Sequence, residues 1–233
     1  MQVSDAHHFR KMVAGACMVV APALVLASAI VSPKLSSDGS TQLGYAAAHL
    51  DRWYITQVIA LASLVLLVPA ILGLMHMLRE RQVAMGHVGG ALAIIGVMAA
   101  TAVTGAAMVI WQMAEPTRNA LQMGRLADDF VGTTGIVVPL FIPTIGVALG
   151  FIALAWGLFR ARAVHALSAV LMAAGTIALN LGLGPVASNA LTIAGAAAFT
   201  IGLGAIGWTV LTETDEAWEH TPVFQGFGGA HPV

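Results

Sequence analysis

From Ala163 to Thr212 the chain carries no Asp, Glu, Lys or Arg. A water-soluble fold has nowhere to hide a run of that length, whereas a helix crossing about 30 Å of hydrocarbon needs about 20 mostly apolar residues. Gly182, Gly184, Pro185, Ser188 and Asn189 form a turn signal in its middle. The run therefore reads as two crossings joined by a tight hairpin.

Four similar runs precede it, so six spans are predicted at 12–32, 54–78, 87–112, 131–158, 164–183 and 188–211. Composition agrees, because 58% of the 233 residues are hydrophobic and only 9% are charged, against about 25% charge in a soluble domain. The expected fold is all-α: a polytopic membrane protein, a compact six-transmembrane-helix bundle in residues 1–212, followed by a cytoplasmic tail from Glu213 to Val233. The first run, Met12 to Pro33, is too long for a signal-peptide core and reads as a retained helix. A net charge of -1 argues against nucleic-acid binding. The single Cys17 can form neither an internal disulfide nor a thiolate cluster.

Six crossings put Arg10, Lys11, Arg79, Arg81, Arg160 and Arg162 on one side, and Lys34, Arg52, Arg118 and Arg125 on the other. Positive residues favour the cytoplasm, so both termini are expected to be cytoplasmic, in a cell inner membrane. The longer loops, about 33–53 and 113–130, then face outward. The first reads as turn residues and then a helical piece from Tyr45 to Leu50. The second reads as an interfacial helix over Thr117–Ala127 that presents Arg118, Gln122 and Arg125 to headgroups. In the tail, Trp218, Phe224 and Phe227 stand among glycines without periodicity, as a mobile segment or partner contact would.

Arg79-Glu80-Arg81 and Arg160-Ala161-Arg162 follow the second and fourth spans, hinting at a parallel hairpin repeat or at plain topology control. Helices in lipid associate through small residues. Gly86 with Gly90, Gly146 with Gly150, and a face from Gly202 through Ala205 to Gly207 are the candidates, for packing within the bundle or between copies. Pro22, Pro69, Pro139 and Pro143 should kink their helices. The 139–143 pair should disrupt most, either to fit neighbouring helices or to open carbonyls to a ligand.

No ionisable side chain falls within a central span, which argues against a proton relay or a voltage sensor. Polar chemistry is confined to the two ends. His76, His87 and His165 lie at similar depth near the cytoplasmic side, where imidazoles from separate helices could ligate haem or a transition metal; satisfied interfacial histidines are the simpler account. On the outward side His49, Asp51, Arg52, Glu115, Asp128 and Asp129 gather, with Arg118 and Arg125. That set could hold a divalent cation or the polar end of a lipid-like substrate. Asp51 and Asp129 each precede an apolar run and read equally as helix caps, which leaves Asp128 and His49 as the stronger candidates. Asn180 should satisfy its amide across the bundle interior, on a neighbouring helix or a buried water.

The chain lacks H-E-x-x-H, G-x-S-x-G, a Walker A loop, paired cysteines and a dinucleotide fingerprint. The leading expectation is a non-catalytic accessory or interaction subunit bound to membrane lipid and to a protein partner or a second copy. The alternatives are a small-molecule, lipid or ion transporter and a haem- or metal-binding redox protein.

Overall fold

The computed structural model describes residues 3–218, and among these every regular element is helical. The crossings are α1 (Val3–Val31), α3 (Leu50–Met77), α4 (Val83–Met113), the run from α6 (Thr134–Ile136) to α7 (Ile145–Ala161), α8 (Ala166–Leu183) and α9 (Asn189–Thr212). Two shorter helices, α2 (Gly39–Ala48) and α5 (Ala120–Gly132), sit in the longer loops, and α10 (Asp215–Trp218) follows the last long helix. Six helices are long and apolar enough to span a membrane. Most are apolar around their whole circumference, as helices facing lipid on one side and protein on the other must be.

The six crossings form a closed ring in chain order. Helix α1 packs on α3, α3 on α4, α4 on α7, α7 on α8, α8 on α9, and α9 returns to α1. Met18, Ile71, Leu74, Phe151, Leu154, Met172, Phe199 and Leu203 fill its middle and are fully buried. Phe151 and Phe199 meet edge to face there, with ring centroids 5.0 Å apart, a favoured aromatic geometry.

Small residues make the ring tight. A Cβ at Gly96 would overlap the Val147 nitrogen, and one at Gly150 would overlap the Ala93 backbone, so α4 and α7 touch backbone to backbone. Gly175 and Gly195 do the same for α8 and α9. Gly86 receives Leu78, the residue that caps α3, and Gly90 receives Met75 of α3. Gly202 and Gly207 do not form one face: Gly202 abuts Met172 on α8, while Gly207 abuts Met18 and Gly15 on α1.

Pro22 and Pro69 are carried inside continuous helices. Pro139 and Pro143 change the helix type, since each lacks the N–H that would bond four residues back. Val137–Phe141 forms a π turn, closed by the Ile142 N–H on the Val137 carbonyl, and Ile142–Thr144 a 3-10 turn. The fourth crossing thus re-registers twice before α7 begins.

Both ends of the described chain lie at the arginine-turn end of the ring. The Arg79–Arg81 and Arg160–Arg162 turns adjoin there, with Arg81 NH1 donating to the Ala161 carbonyl (3.2 Å). Their backbones differ. The second closes with Arg162 in the left-handed region (φ 53°) and an Ala163 N–H to Leu158 O bond, whereas no residue of the first has positive φ.

Candidate functional site

The opposite, loop end is covered by α2 and α5, which pack on each other through a second apolar cluster of Leu43, Ala46, Trp53, Ala114 and Ala127. Trp53 Nε1 donates to the Ala107 carbonyl (3.0 Å), anchoring α3 to α4 beneath that cover. Tyr54 and Trp111 pair at 5.3 Å between ring centroids, near the loop ends of α3 and α4.

Helix α5 starts at Ala120 because the Asn119 side chain accepts from the Leu121 and Gln122 N–H groups (3.1 Å each). It runs on to Gly132, so Asp129 lies inside the helix and caps nothing; the apolar pattern beyond it concealed that continuation. Asp128 does cap, but on another helix: its Oδ1 accepts from the Ser40 N–H of α2 at 2.7 Å. Beside it Gly39 lies so close to Ala127 O that a side chain would not fit. Asp38, at the N-cap position of α2, makes no side-chain cap bond.

Between α2 and α5 opens a cleft of about 580 Å³, bordered by Glu115, Arg118, Arg125 and Asp128. The structure thus brings these four together and leaves the others apart. His49 is exposed at the far end of α2, about 13.5 Å along the axis from Ser40 at 1.5 Å per residue. Asp51 lies exposed in the first turn of α3, where its charge suits the helix N-terminus. Arg52 Nε donates to the Val31 carbonyl (3.2 Å). Asp129 borders a different pocket, of about 290 Å³, on the other side of the Gly39–Ala127 contact.

At the arginine-turn end the three histidines serve their own surroundings. The His76 ring stacks on Trp218 (centroids 4.6 Å, 22°) and its Nε2 donates to the Trp218 carbonyl at 3.1 Å. Arg79 NH1 closes on the same ring, against Nδ1 at 2.8 Å and against Nε2. His87 Nδ1 donates to Val83 O (2.8 Å), and His165 Nδ1 accepts from Leu167 N–H (3.2 Å) as the N-cap of α8. Among the described residues no three His, Cys, Asp or Glu side chains gather as a metal ion would require. Asn180 donates to the Thr176 carbonyl of its own helix (3.0 Å), not across the bundle.

Sequence reasoning missed two structural ties. Asn189 clamps the start of α9 to the α1–α2 loop, with Nδ2 donating to Pro33 O and Oδ1 accepting from Leu35 N–H, each at 3.0 Å. Helix α10 folds back onto α1 and α3. Lys11 Nζ lies 2.5 Å from Asp215 Oδ1 and donates to Glu213 O at 2.8 Å, and His8 Nδ1 lies 3.1 Å from Asp215 Oδ2. Two hydrogen bonds, first from Lys11 and then from His8, hold the Asp215 carboxyl below the usual carboxylate range, while burial pushes the Glu213 carboxyl up. A lone Lys at the start of a span and Thr214 just before the acids were the available signals; Thr214 Oγ1 accepts from Ala217 N–H at 3.2 Å. Phe224, Phe227 and the glycines of the tail lie outside the described residues.

No protein-family profile, curated protein or solved structure matches this chain.

Proposed function

We propose that the chain is a non-catalytic, multi-pass membrane component, an accessory or interaction subunit that meets its partners at the α2–α5 end. The observation that carries this reading is the filled middle of the ring. Eight fully buried apolar side chains, from Met18 to Leu203, close it. A conduction or carrier path needs a polar lining or a gap that water enters. The groups available to a partner are instead concentrated at the loop end, where Arg118 and Arg125 border the cleft and Leu121 is 67% exposed. In this reading the arginine turns and both termini are cytoplasmic in a cell inner membrane, the α2–α5 end faces outward, and the partner is a second protein chain or a second copy amid lipid.

Two measurements on the full chain test it. A photoreactive side chain at position 121 should yield a discrete protein–protein adduct in native membranes, and proteoliposomes should show no solute flux above empty vesicles across a panel of ions, sugars and amino acids. Lipid adducts alone at position 121, or flux that scales with protein, would sink the reading.

Transport is the second reading, and one observation favours it: the π and 3-10 turns at 137–144 break the fourth crossing. Broken helices line sites in carriers. The flux measurement decides between the two.

A further inference from the structure

The pocket of about 290 Å³ beside Asp129 joins an apolar interior to an acidic rim. Its walls are apolar, from Val109, Ile110 and Met113 of α4, Leu126 and Phe130 of α5, and Ile136 of α6. It exists because α4 and the fourth crossing, held backbone to backbone at Gly96 and Gly146, separate beyond that contact; Gly105 and Gly135 have nothing within 4 Å of where a Cβ would stand. It lies next to Trp111, at the end of a candidate span, and Val109 (58% exposed) opens it toward the membrane side.

The charged residues at its mouth have one sign. Asp38 and Asp129 line it, together with the hydroxyls of Ser36, Ser37 and Thr133, and no Lys or Arg does. Both carboxylates are exposed and, among the described residues, have no hydrogen-bond or ion-pair partner. For Asp38 that is unexpected, because an Asp at an N-cap ordinarily accepts from its own helix. Here Asp128 reaches over from α5 to accept from Ser40 instead. Asp38 is thereby left with an uncommitted charge at the rim of an apolar pocket.

We infer that this pocket binds a single-chain cationic amphiphile, an alkylammonium whose tail lies between α4 and α6 and whose headgroup sits at Asp38 and Asp129. Apolar walls would hold the tail by burial, and two unpartnered carboxylates select the sign of the head. The site is separated from the α2–α5 cleft by the Gly39–Ala127 contact and does not depend on the interaction reading.

The test uses the full chain in phosphatidylcholine nanodiscs, with empty nanodiscs subtracted, and three probes of equal tail: decyltrimethylammonium, decyl sulfate and decanol. Saturable binding of the ammonium is expected, with the sulfate about tenfold weaker, as a contact between charges at the water boundary allows. The double variant Asp38→Asn with Asp129→Asn should bind ammonium and sulfate alike while keeping decanol, which also shows that it is folded. Ala106→Phe, filling the pocket floor, should lose all three. Equal binding of ammonium and sulfate to the unmodified chain, a charge preference that survives the double variant, or no binding above empty nanodiscs would each overturn the proposal.

Discussion

Lys11 Nζ stands 2.5 Å from Asp215 Oδ1, which ties the first crossing to the short helix that follows the last. The lysine side chain is 5% exposed and the carboxylate 49%. The ammonium thus depends on this contact and on the Glu213 carbonyl for the hydration it has given up. Because the Asp215 carboxyl is held below its ordinary range, it ionises more readily folded than unfolded. Its contribution is present above the unfolded value of about 4 and is lost as pH falls through the lower folded value. The latch should therefore hold at pH 5 and open only in stronger acid. Fluorescence of Trp218, buried beneath it against His76, reads the opening; a transition centred near pH 6 would contradict the assignment.

Glu213 carries the opposite sign. Its Oε2 is buried without a hydrogen-bond partner among the described residues, and burial raises its carboxyl. A raised acid binds its proton more tightly folded than unfolded, so stability falls as pH rises from the unfolded value toward the folded one. Glu213→Gln should remove that loss and raise the melting temperature at pH 7 slightly, on the order of 1–2 °C. The gain should vanish at pH 4, and thermal melts at the two pH values check it.

The contact between α4 and α7 can be probed by paired glycine substitutions on one helix. Gly96→Ala places a methyl where the Val147 nitrogen already is, whereas Gly105→Ala meets open space. The first should destabilise by about 1–3 kcal/mol, the usual cost of overpacking. The second should be neutral or stabilising by up to about 1 kcal/mol, because alanine is the better helix former. Unfolding in mixed micelles measures both, and equal effects would mean that the backbone contact is absent.

Asp128→Ala removes the acceptor for the Ser40 N–H. Loss of a cap costs about 0.5–2 kcal/mol, and here it also releases the seam between α2 and α5. Hydrogen exchange at the amides of 40–43 should accelerate by about tenfold, with the exchange of α8 and α9 unchanged.

The crossings were legible because lipid imposes a length and forbids charge. The 188–211 span and the helix Asn189–Thr212 differ by one residue at each end. Elements outside the hydrocarbon were harder to read, since several forces compete there. The helix expected over Thr117–Ala127 begins instead at Ala120, where Asn119 caps it, and continues through Asp129 because the apolar run that follows looks the same whether or not the chain has entered the membrane. Tyr45 to Leu50 proved to be the second half of α2, the single turn residue His49 and the first residue of α3. The polar set at the loop end divided because α2 separates His49 from Asp128, a distance that no spacing in the sequence encodes. Lys11 read as a topology signal, and only the fold shows that it reaches past Thr212 to a helix with its own cap.

The ring closes in chain order, and this shapes how the protein is made. Each long helix after the first packs on the long helix that precedes it in the chain, so its contact partner is always synthesised before it. The exception is the seam between α1 and α9. Until the sixth crossing arrives, the flank of α1 that will meet Gly207 stands open to lipid or to chaperones. A nascent chain truncated before α9 would expose that flank permanently, giving membrane quality control a surface by which to tell unfinished copies from complete ones.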